Sequence, residues 1–300
     1  MINNLFTDKS ISPMLISERK EPFNDPNWIY ELKLDGCRCI AYIEHGRVVL
    51  RNKRNMDLLP RFMELENIDR QISDKCVLDG ELVVMCKNKP DFYRLQRRTI
   101  LTDRLQMELE INRFPATFIA YDCLQVGNKS LLQSPLMERK DILQSLISEN
   151  KQFSHTRYVK EQGIQLYKLT EEQELEGVVA KRADSLYYPG KRSKEWIKFK
   201  HLTDKEFVIC GYKPGKPTSL ILGEFRNGKL MYAGAVSFGV QREILRILDK
   251  DCCPFKEDIP GSSRIIWCKP EHICVVNYMP NTRDSLRQPV FKGIRNNYTL

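Results

Sequence analysis

The stretch Trp28-Ile29-Tyr30-Glu31-Leu32-Lys33-Leu34-Asp35-Gly36 decides how the rest of this chain is read. It is a strand-like run ending in Lys33-Leu34-Asp35-Gly36. On a pleated strand alternate side chains share a face, so Glu31, Lys33 and Asp35 are expected on one surface while Leu32 and Leu34 enter a core. That reading sets an amine between two carboxylates on the wall of a cleft, where a nucleophile would sit.

Working outward, Cys37 to Ile43 and Val48 to Arg51 read as a hairpin joined across Glu44-His45-Gly46-Arg47. Met56 to Asn67 carries apolar residues at helical spacing, and Cys76 to Met85 returns to strand character around Leu78-Asp79-Gly80-Glu81. A helix over Phe92 to Arg98 and a buried strand over Ala116 to Asp122, with a turn at Val126-Gly127-Asn128-Lys129, follow. Ser134-Pro135 opens a helix reaching Ile147, serine suiting the N-cap and proline the first helical position. Gly177 to Ala180 and Trp196 to Lys200 add strands, so a mixed sheet accumulates without strict βαβ rhythm. Beyond Leu202 short strands alternate with turns: Phe207 to Tyr212, Leu220 to Phe225, Leu230 to Val236, Ile265 to Trp267 and Ile273 to Tyr278. Asn227-Gly228 is a type I′ hairpin signal, and a helical insert over Gln241 to Lys250 would cap a small five-stranded barrel of the oligonucleotide-binding (OB) kind. The expected domains are 1–202 and 203–300. There is no internal repeat.

The bulk numbers bound the function. Three hundred residues with 42% hydrophobic content suffice for two cores. Lys and Arg outnumber Asp and Glu 48 to 39, a net +9, as expected of a surface that meets polyanions. Residues 203–300 hold 15 basic and 10 acidic side chains, so the smaller domain is the more basic per residue. Ten cysteines without any Cys-x-x-Cys spacing suggest buried, reduced thiols in the cytoplasm rather than a disulfide framework or zinc site. No apolar run approaches the roughly 20 residues that span a bilayer, and no membrane partner is expected.

Five blocks in order carry a resemblance: Lys33-Leu34-Asp35-Gly36-Cys37-Arg38, Leu78-Asp79-Gly80-Glu81, Phe118-Ile119-Ala120-Tyr121-Asp122, Glu176-Gly177-Val178-Val179-Ala180-Lys181 and Trp196-Ile197-Lys198-Phe199-Lys200. Together they resemble the covalent nucleotidyltransferases, and among these the ATP-dependent DNA ligases. Tyr187-Tyr188-Pro189-Gly190-Lys191-Arg192-Ser193 and Leu286-Arg287-Gln288-Pro289-Val290-Phe291 are similar to the ligase module of bacterial DNA ligase D, the end-joining enzyme. The resemblance implies an α+β fold: a nucleotidyltransferase domain of ATP-grasp-like mixed sheets and helices, followed by an OB-fold barrel.

It also implies a chemistry. Lys33 would take AMP from ATP, pass it to a 5′-phosphate at a DNA break, and a 3′-hydroxyl would then displace it. Attack needs the neutral amine, yet Glu31 and Asp35 would stabilise the ammonium, so opposing charge is required. Lys198 and Lys200, on one strand face, and a divalent cation, Mg²⁺ or Mn²⁺, held by Glu176 and Glu81, would provide it. Glu81 would also accept the ribose hydroxyl, Tyr121 would stack on adenine, and Glu31 would meet the base through its neighbouring backbone. Arg38 and Arg51 would hold phosphate or strand ends, their guanidinium forks matching phosphate geometry. Between Lys181 and Lys200 seven basic residues face two acidic ones, a track for DNA backbone in which Lys181 and Arg192, with Arg287 later, are the contacts. The expected partners are nicked or broken duplex DNA and a Ku-like end-binding protein; the chain is expected to act as a monomer, near the bacterial nucleoid. The segment Lys200 to Lys205 would serve as a hinge.

Other readings stay open from residues alone. Lys33 by itself could be an edge-strand surface lysine, and Glu176, after Glu171, Glu172 and Glu174, could belong to a solvated helix end. Trp196 and Phe199 read as packing residues. The C-terminal block, Gly293-Ile294-Arg295-Asn296-Asn297-Tyr298, keeps an arginine but lacks the acidic residue and lysine usual in ligase D, so either self-adenylation is slow or other residues such as Arg283 or Arg287 orient the departing pyrophosphate. An RNA ligase or a capping-type guanylyltransferase shares the lysine block, and a non-catalytic nucleic-acid-binding relative is a reading of another class.

Overall fold

The structure is a computed structural model, and it describes residues 5–257, 259, 261–280 and 286–295. The chain divides into two compact units, Met1–Lys200 and His201–Leu300. Arg283, Asn296, Asn297 and Tyr298, named above in the C-terminal blocks, lie outside the described residues.

The first unit runs α1 (Leu5–Asp8), β1 (Leu15–Glu18), β2 (Trp28–Leu32), β3 (Cys37–Glu44), β4 (Arg47–Asn52), β5 (Cys76–Cys86) and β6 (Lys89–Pro90). It continues with α2 (Phe92–Ile100), α3 (Arg104–Arg113), β7 (Ala116–Val126), β8 (Lys129–Ser130), α4 (Leu136–Leu146), β9 (Phe153–His155) and β10 (Tyr158–Lys160). Helix α5 (Gly163–Glu172) and strands β11 (Gly177–Arg182) and β12 (Arg192–Lys200) complete it. One sheet has the order β1-β12-β11-β2-β10; the other has β4-β3-β5-β7-β8, with β6 on β5 and β9 parallel to β7.

Alternation along the strands sorts side chains into three apolar layers. Ile29 and Trp196 of one sheet meet Ile40, Tyr42, Val77 and Leu124 of the other in a core between the sheets. The opposite face of β2, β11 and β12 sends Tyr30, Val178, Ala180 and Phe199 against Leu166 and Tyr167 of α5. The outer face of the second sheet, through Cys39, Ala41, Leu78 and Phe118, packs on Leu143 and Leu146 of α4. Residues on the inner faces that are not needed for the core line the cleft.

Several local expectations change. Between Met56 and Asn67 there is no α-helix; two 3₁₀ turns, Leu59–Arg61 and Met63–Leu65, and a third just beyond, Ile68–Gln71, bury Leu65 and Ile68 instead. Pro60 sits at the start of the first turn, and Phe62 leaves the helical region at φ −135°, ψ 51°, so the ladder cannot propagate. Pro135, not Ser134, occupies the N-cap of α4, and no side chain caps it; the Ser134 carbonyl accepts from Arg139 instead. Helix α5 is the one whose acidic end was read at Glu171 to Glu174, whereas α3 lies in a stretch where no helix was expected; Met107 is the one buried residue of α3, so its apolar stripe is faint.

The second unit contains β13 (Thr203–Lys213), β14 (Ser219–Arg226), β15 (Lys229–Val236), β16 (Ile266–Met279) and β17 (Arg287–Ile294), ordered β15-β14-β13-β16-β17. The two short strands expected at 265–267 and 273–278 are one, β16. Asn227 and Gly228 take φ 52° and 73° in the β14–β15 turn, both left-handed as type I′ requires. A parallel bridge from Phe238 to Val290, with Phe291 N–H donating to the Phe238 carbonyl at 2.8 Å, ties the chain after β15 to β17 and closes the OB barrel. A 3₁₀ segment, Arg242–Ile247, stands where the helical insert was expected. All ten cysteines are unbridged; six are buried, but Cys252 and Cys253 are exposed, which corrects the expectation that the thiols are buried. Among the described residues no helix is long and apolar enough to cross a membrane.

Candidate active site

Strand β2 ends at Leu32, although the Lys33 N–H still donates to the Gly177 carbonyl at 2.9 Å. Glu31 and Lys33 both line the cleft, as expected of a shared face, but Asp35 does not. Leu32, expected in the core, is 41% exposed, and Leu32 and Leu34 both line the cleft. Gly36 makes the turn possible, since a Cβ there would lie 2.2 Å from the Leu82 carbonyl oxygen of β5.

The cleft, about 290 Å³, is lined by Lys33, Glu31, Arg38, Glu81, Tyr121 and Lys198, together with Lys181, Arg192 and Trp196. Lys33 Nζ donates to Glu176 Oε2 at 2.7 Å across 143 residues of sequence. Glu176 is thus a buried group facing the lysine and not part of a solvated helix end, α5 having stopped at Glu172. Gly177 fixes this placement: it has φ +140°, and a Cβ would fall 2.0 Å from the Phe199 carbonyl oxygen.

Arg38 is held from behind. Its Nε and Nη2 donate to Asp79 at 3.0 and 2.6 Å, its Nη1 donates to the Met14 carbonyl, and Tyr187 Oη donates to the same Asp79 at 2.7 Å. Burial works against the Arg38 charge, but Asp79 outweighs it and holds the guanidinium well above its ordinary range. Glu81 is pushed up to about 8, first by burial and then by the carboxylates of Glu176 and Asp79, against the opposing pull of Lys33 and Arg38. Near neutral pH it is a protonated acid that can both donate and accept a hydrogen bond.

Lys198 and Lys200 project on one side of β12, with Phe199 buried on the other. Their ammonium groups lie 3.0 and 3.7 Å from Glu18 Oε2 of β1. Burial, then Lys198, pushes Lys200 down, and Lys33 adds to this. Glu18 was not anticipated from sequence; its register opposite Lys198 in the parallel β1–β12 pair is a tertiary fact.

Three expectations are corrected. Lys181 does not face DNA: only 3% of its side chain is exposed, and it donates to Glu31 Oε2 at 2.9 Å. It lies 4.5 and 4.2 Å from the ring centres of Tyr121 and Trp196. Alternation places it on the same face of β11 as Val179, toward the cleft floor. Burial pushes its ammonium down to about 8, Glu31 pulling the other way. Glu31 itself is 2% exposed and its side chain, not only its backbone, reaches the cleft. Burial would raise its carboxyl, but Lys140 and Lys181 outweigh burial and hold it low. Arg51 is absent from the cleft lining, where Lys53 stands instead; Arg51 Nη1 reaches the Asn55 carbonyl at 3.5 Å. Arg192 lines the cleft and donates to the Ile16 carbonyl. Arg287 starts β17, and Arg295 pairs with Glu206, both within the second unit.

The residues fit a hard cation. Glu176 offers carboxylate oxygens beside the amine, and Glu81, close by, would add its own once a cation displaced its proton; a cation that keeps much of its water and bridges to phosphate needs no more. Among the described residues no cluster of three or more His, Cys, Asp or Glu side chains forms a closed metal cage.

Comparisons with known proteins agree with this architecture. Residues 13–200 match the ATP dependent DNA ligase domain and residues 213–298 the ATP dependent DNA ligase C terminal region. DNA ligase C1 of Mycolicibacterium smegmatis is 33% identical over 294 residues, covering 89% of this chain and 83% of that protein. The multifunctional non-homologous end joining DNA repair protein LigD of Mycobacterium tuberculosis is 29% identical over 310 residues; the match takes in 97% of this chain but 39% of that protein. The solved ligase domain of M. tuberculosis LigD superposes with TM-score 0.58 at 27% identity, covering 96% of each chain. With both halves matched in order and the lysine, carboxylate and arginine blocks converging on one cleft, the chain belongs to the ATP-dependent DNA ligases.

Proposed function

We propose that this ligase seals 5′-phosphate/3′-hydroxyl breaks through AMP carried on Lys33, in end-joining repair. The observation that carries the reading is the Lys33 amine, held 2.7 Å from Glu176 in a cleft whose other ionisable groups include Arg38, Glu81 and Lys198. An unshared pair on Nζ forms the bond to the α-phosphorus, the bond to the bridging oxygen breaks, and pyrophosphate leaves. The Nζ proton is given up beside Glu176, the nearest acceptor.

Each residue has a task that its surroundings support. Lys198 and Lys200 meet phosphate oxygens once these displace Glu18, the carboxylate they pair with. Arg38, fixed by Asp79, presents a guanidinium to phosphate. Glu81, protonated near neutrality, bonds the ribose hydroxyl. Tyr121 offers a ring for the purine. Mg²⁺ or Mn²⁺ held by Glu176, and by Glu81 in its ionised form, would neutralise charge on the phosphate oxygens.

The end-joining role rests on likeness to LigD, of which this chain spans about two-fifths in the tuberculosis protein. Duplex DNA with a break is the substrate, a Ku-like protein the partner holding ends, and the chain acts as a monomer in the cytoplasm. Residues 1–202 serve adenylation and 203–300 serve DNA engagement.

The test is direct. After incubation with ATP and Mg²⁺, peptide mass spectrometry is expected to find an adenylate on Lys33, and Lys33→Ala to carry none; an adduct elsewhere, or none in the wild type, overturns the proposal. Sealing of a nicked duplex, compared across DNA and RNA strands, separates DNA from RNA ligation. Mn²⁺ binding followed by paramagnetic resonance is expected to weaken at least tenfold in Glu176→Gln.

A further inference from the structure

Behind the floor of the cleft lies a buried group that no sequence block announces. Lys140, on α4, has 4% of its side chain exposed and ion-pairs with Glu31 Oε1. Its Nζ also donates to Thr156 Oγ1, just past β9, at 2.9 Å. Lys181 takes the other oxygen, Glu31 Oε2, at 2.9 Å. Glu31 and Lys181 line the cleft, whereas Lys140 and Thr156 do not. One carboxylate on β2 is thus clamped between two ammonium groups, one brought from strand β11 and one from helix α4.

Such a group is costly to bury for mere stability, since two positive charges share one negative charge away from water. What it does achieve is definition. The carboxylate is held by both oxygens, with lone pairs left over to accept from the cleft side. Beside it Lys181 offers a donor. An acceptor next to a donor complements the edge of adenine, which presents an amine donor at position 6 next to the N1 acceptor. A 6-oxo purine presents the reverse order: its carbonyl would face the carboxylate and its N1–H the ammonium, setting acceptor against acceptor and donor against donor away from water.

We propose that Lys140 is a specificity-determining positioning residue: from behind Glu31 it fixes the acceptor-beside-donor pair of Glu31 and Lys181, which admits a 6-amino purine and rejects a 6-oxo purine. The inference rests on the reading of the cleft as the nucleotide pocket. Lys140 touches no nucleotide; it acts through Glu31.

The experiment measures kcat/KM for labelling of the full chain by ATP and by ITP, which differ only at that edge. The wild type is expected to prefer ATP by roughly ten- to hundredfold or more, the worth of a hydrogen bond to a charged group. Lys140→Met is expected to lower the ATP:ITP ratio about tenfold, through KM for ATP, and Lys140→Arg to restore most of it. If the methionine variant does not fold, Thr156→Val, which removes only the hydrogen bond behind Lys140, is expected to lower the ratio about threefold. Equal labelling of the wild type by both nucleotides overturns the inference alone, as does an unchanged ratio in folded Lys140→Met or in Thr156→Val. No labelling by ATP overturns the nucleotide reading and this inference with it.

Discussion

Glycine at 177 shows how one residue sets the chemistry of its neighbour. It takes φ +140° with the Phe199 carbonyl where a Cβ would be, and it starts the strand that presents Glu176 to Lys33. Gly177→Ala is therefore expected to cost about 2–3 kcal/mol by urea denaturation and to slow adenylation as Glu176 shifts. Glu81 gives a pH signature. Its value is raised from 4.5 to about 8, so its contribution to stability is complete below about pH 4.5 and is lost as pH rises through about 8. Glu81→Gln, a neutral mimic, is expected to flatten the decline of Tm across that window, leaving the ligand-free protein about 2–4 °C more stable above pH 8. Scanning calorimetry from pH 5 to 9 checks this; parallel wild-type and variant curves would dispose of it.

At the scale of elements, α4 is the helix that ties the two sheets to the site. Its Arg139 donates to Asp122 of β7 at 2.7 and 2.8 Å and to the carbonyls of Ser134 and Ser185. Both Arg139 and Asp122 side chains are fully buried. Removing one partner strands the other, so Arg139→Met is expected to destabilise by roughly 3–5 kcal/mol, and the double variant Asp122→Leu/Arg139→Met to recover part of it. Chemical denaturation of the single and double variants measures the difference; a double variant no more stable than the single would show that packing, not charge, is at stake. The order of Asp79 before Glu81, and Tyr121 before Asp122, has a plain mechanical reading. In each pair one residue faces the cleft while an aspartate anchors an arginine.

Over the whole molecule the excess of positive charge, +9, sets the expectation for DNA. Binding to a nicked duplex is expected to weaken steeply with salt, and Arg192→Ala to reduce the slope of log K against log[salt] by about one, equally for all sequences. Lys181→Ala is expected to leave that slope unchanged, because its ammonium is sealed against Glu31. Fluorescence titration between 50 and 200 mM salt, a range chosen for its sensitivity to phosphate contacts, distinguishes the two variants.

The residue blocks determined by themselves which side chains carry charge chemistry and in what order they come, because the chemistry demands an amine, carboxylates and guanidinium groups whatever the surroundings. Strand periodicity likewise located most of β3, β5, β7 and the barrel, since alternation and an Asn-Gly turn are local properties. Even Lys140 left a trace: with Arg139 it interrupts the apolar stripe from Leu136 to Leu143, where a surface helix would carry no charge. Only the tertiary structure decided that β2 stops one residue short of Lys33, that Glu176 and not Glu31 faces its amine, and that Lys181 turns inward. Those outcomes depend on contacts between segments more than a hundred residues apart, Glu31 with Lys181 and Lys33 with Glu176, and a strand's own pattern says which face a side chain takes but not what waits there.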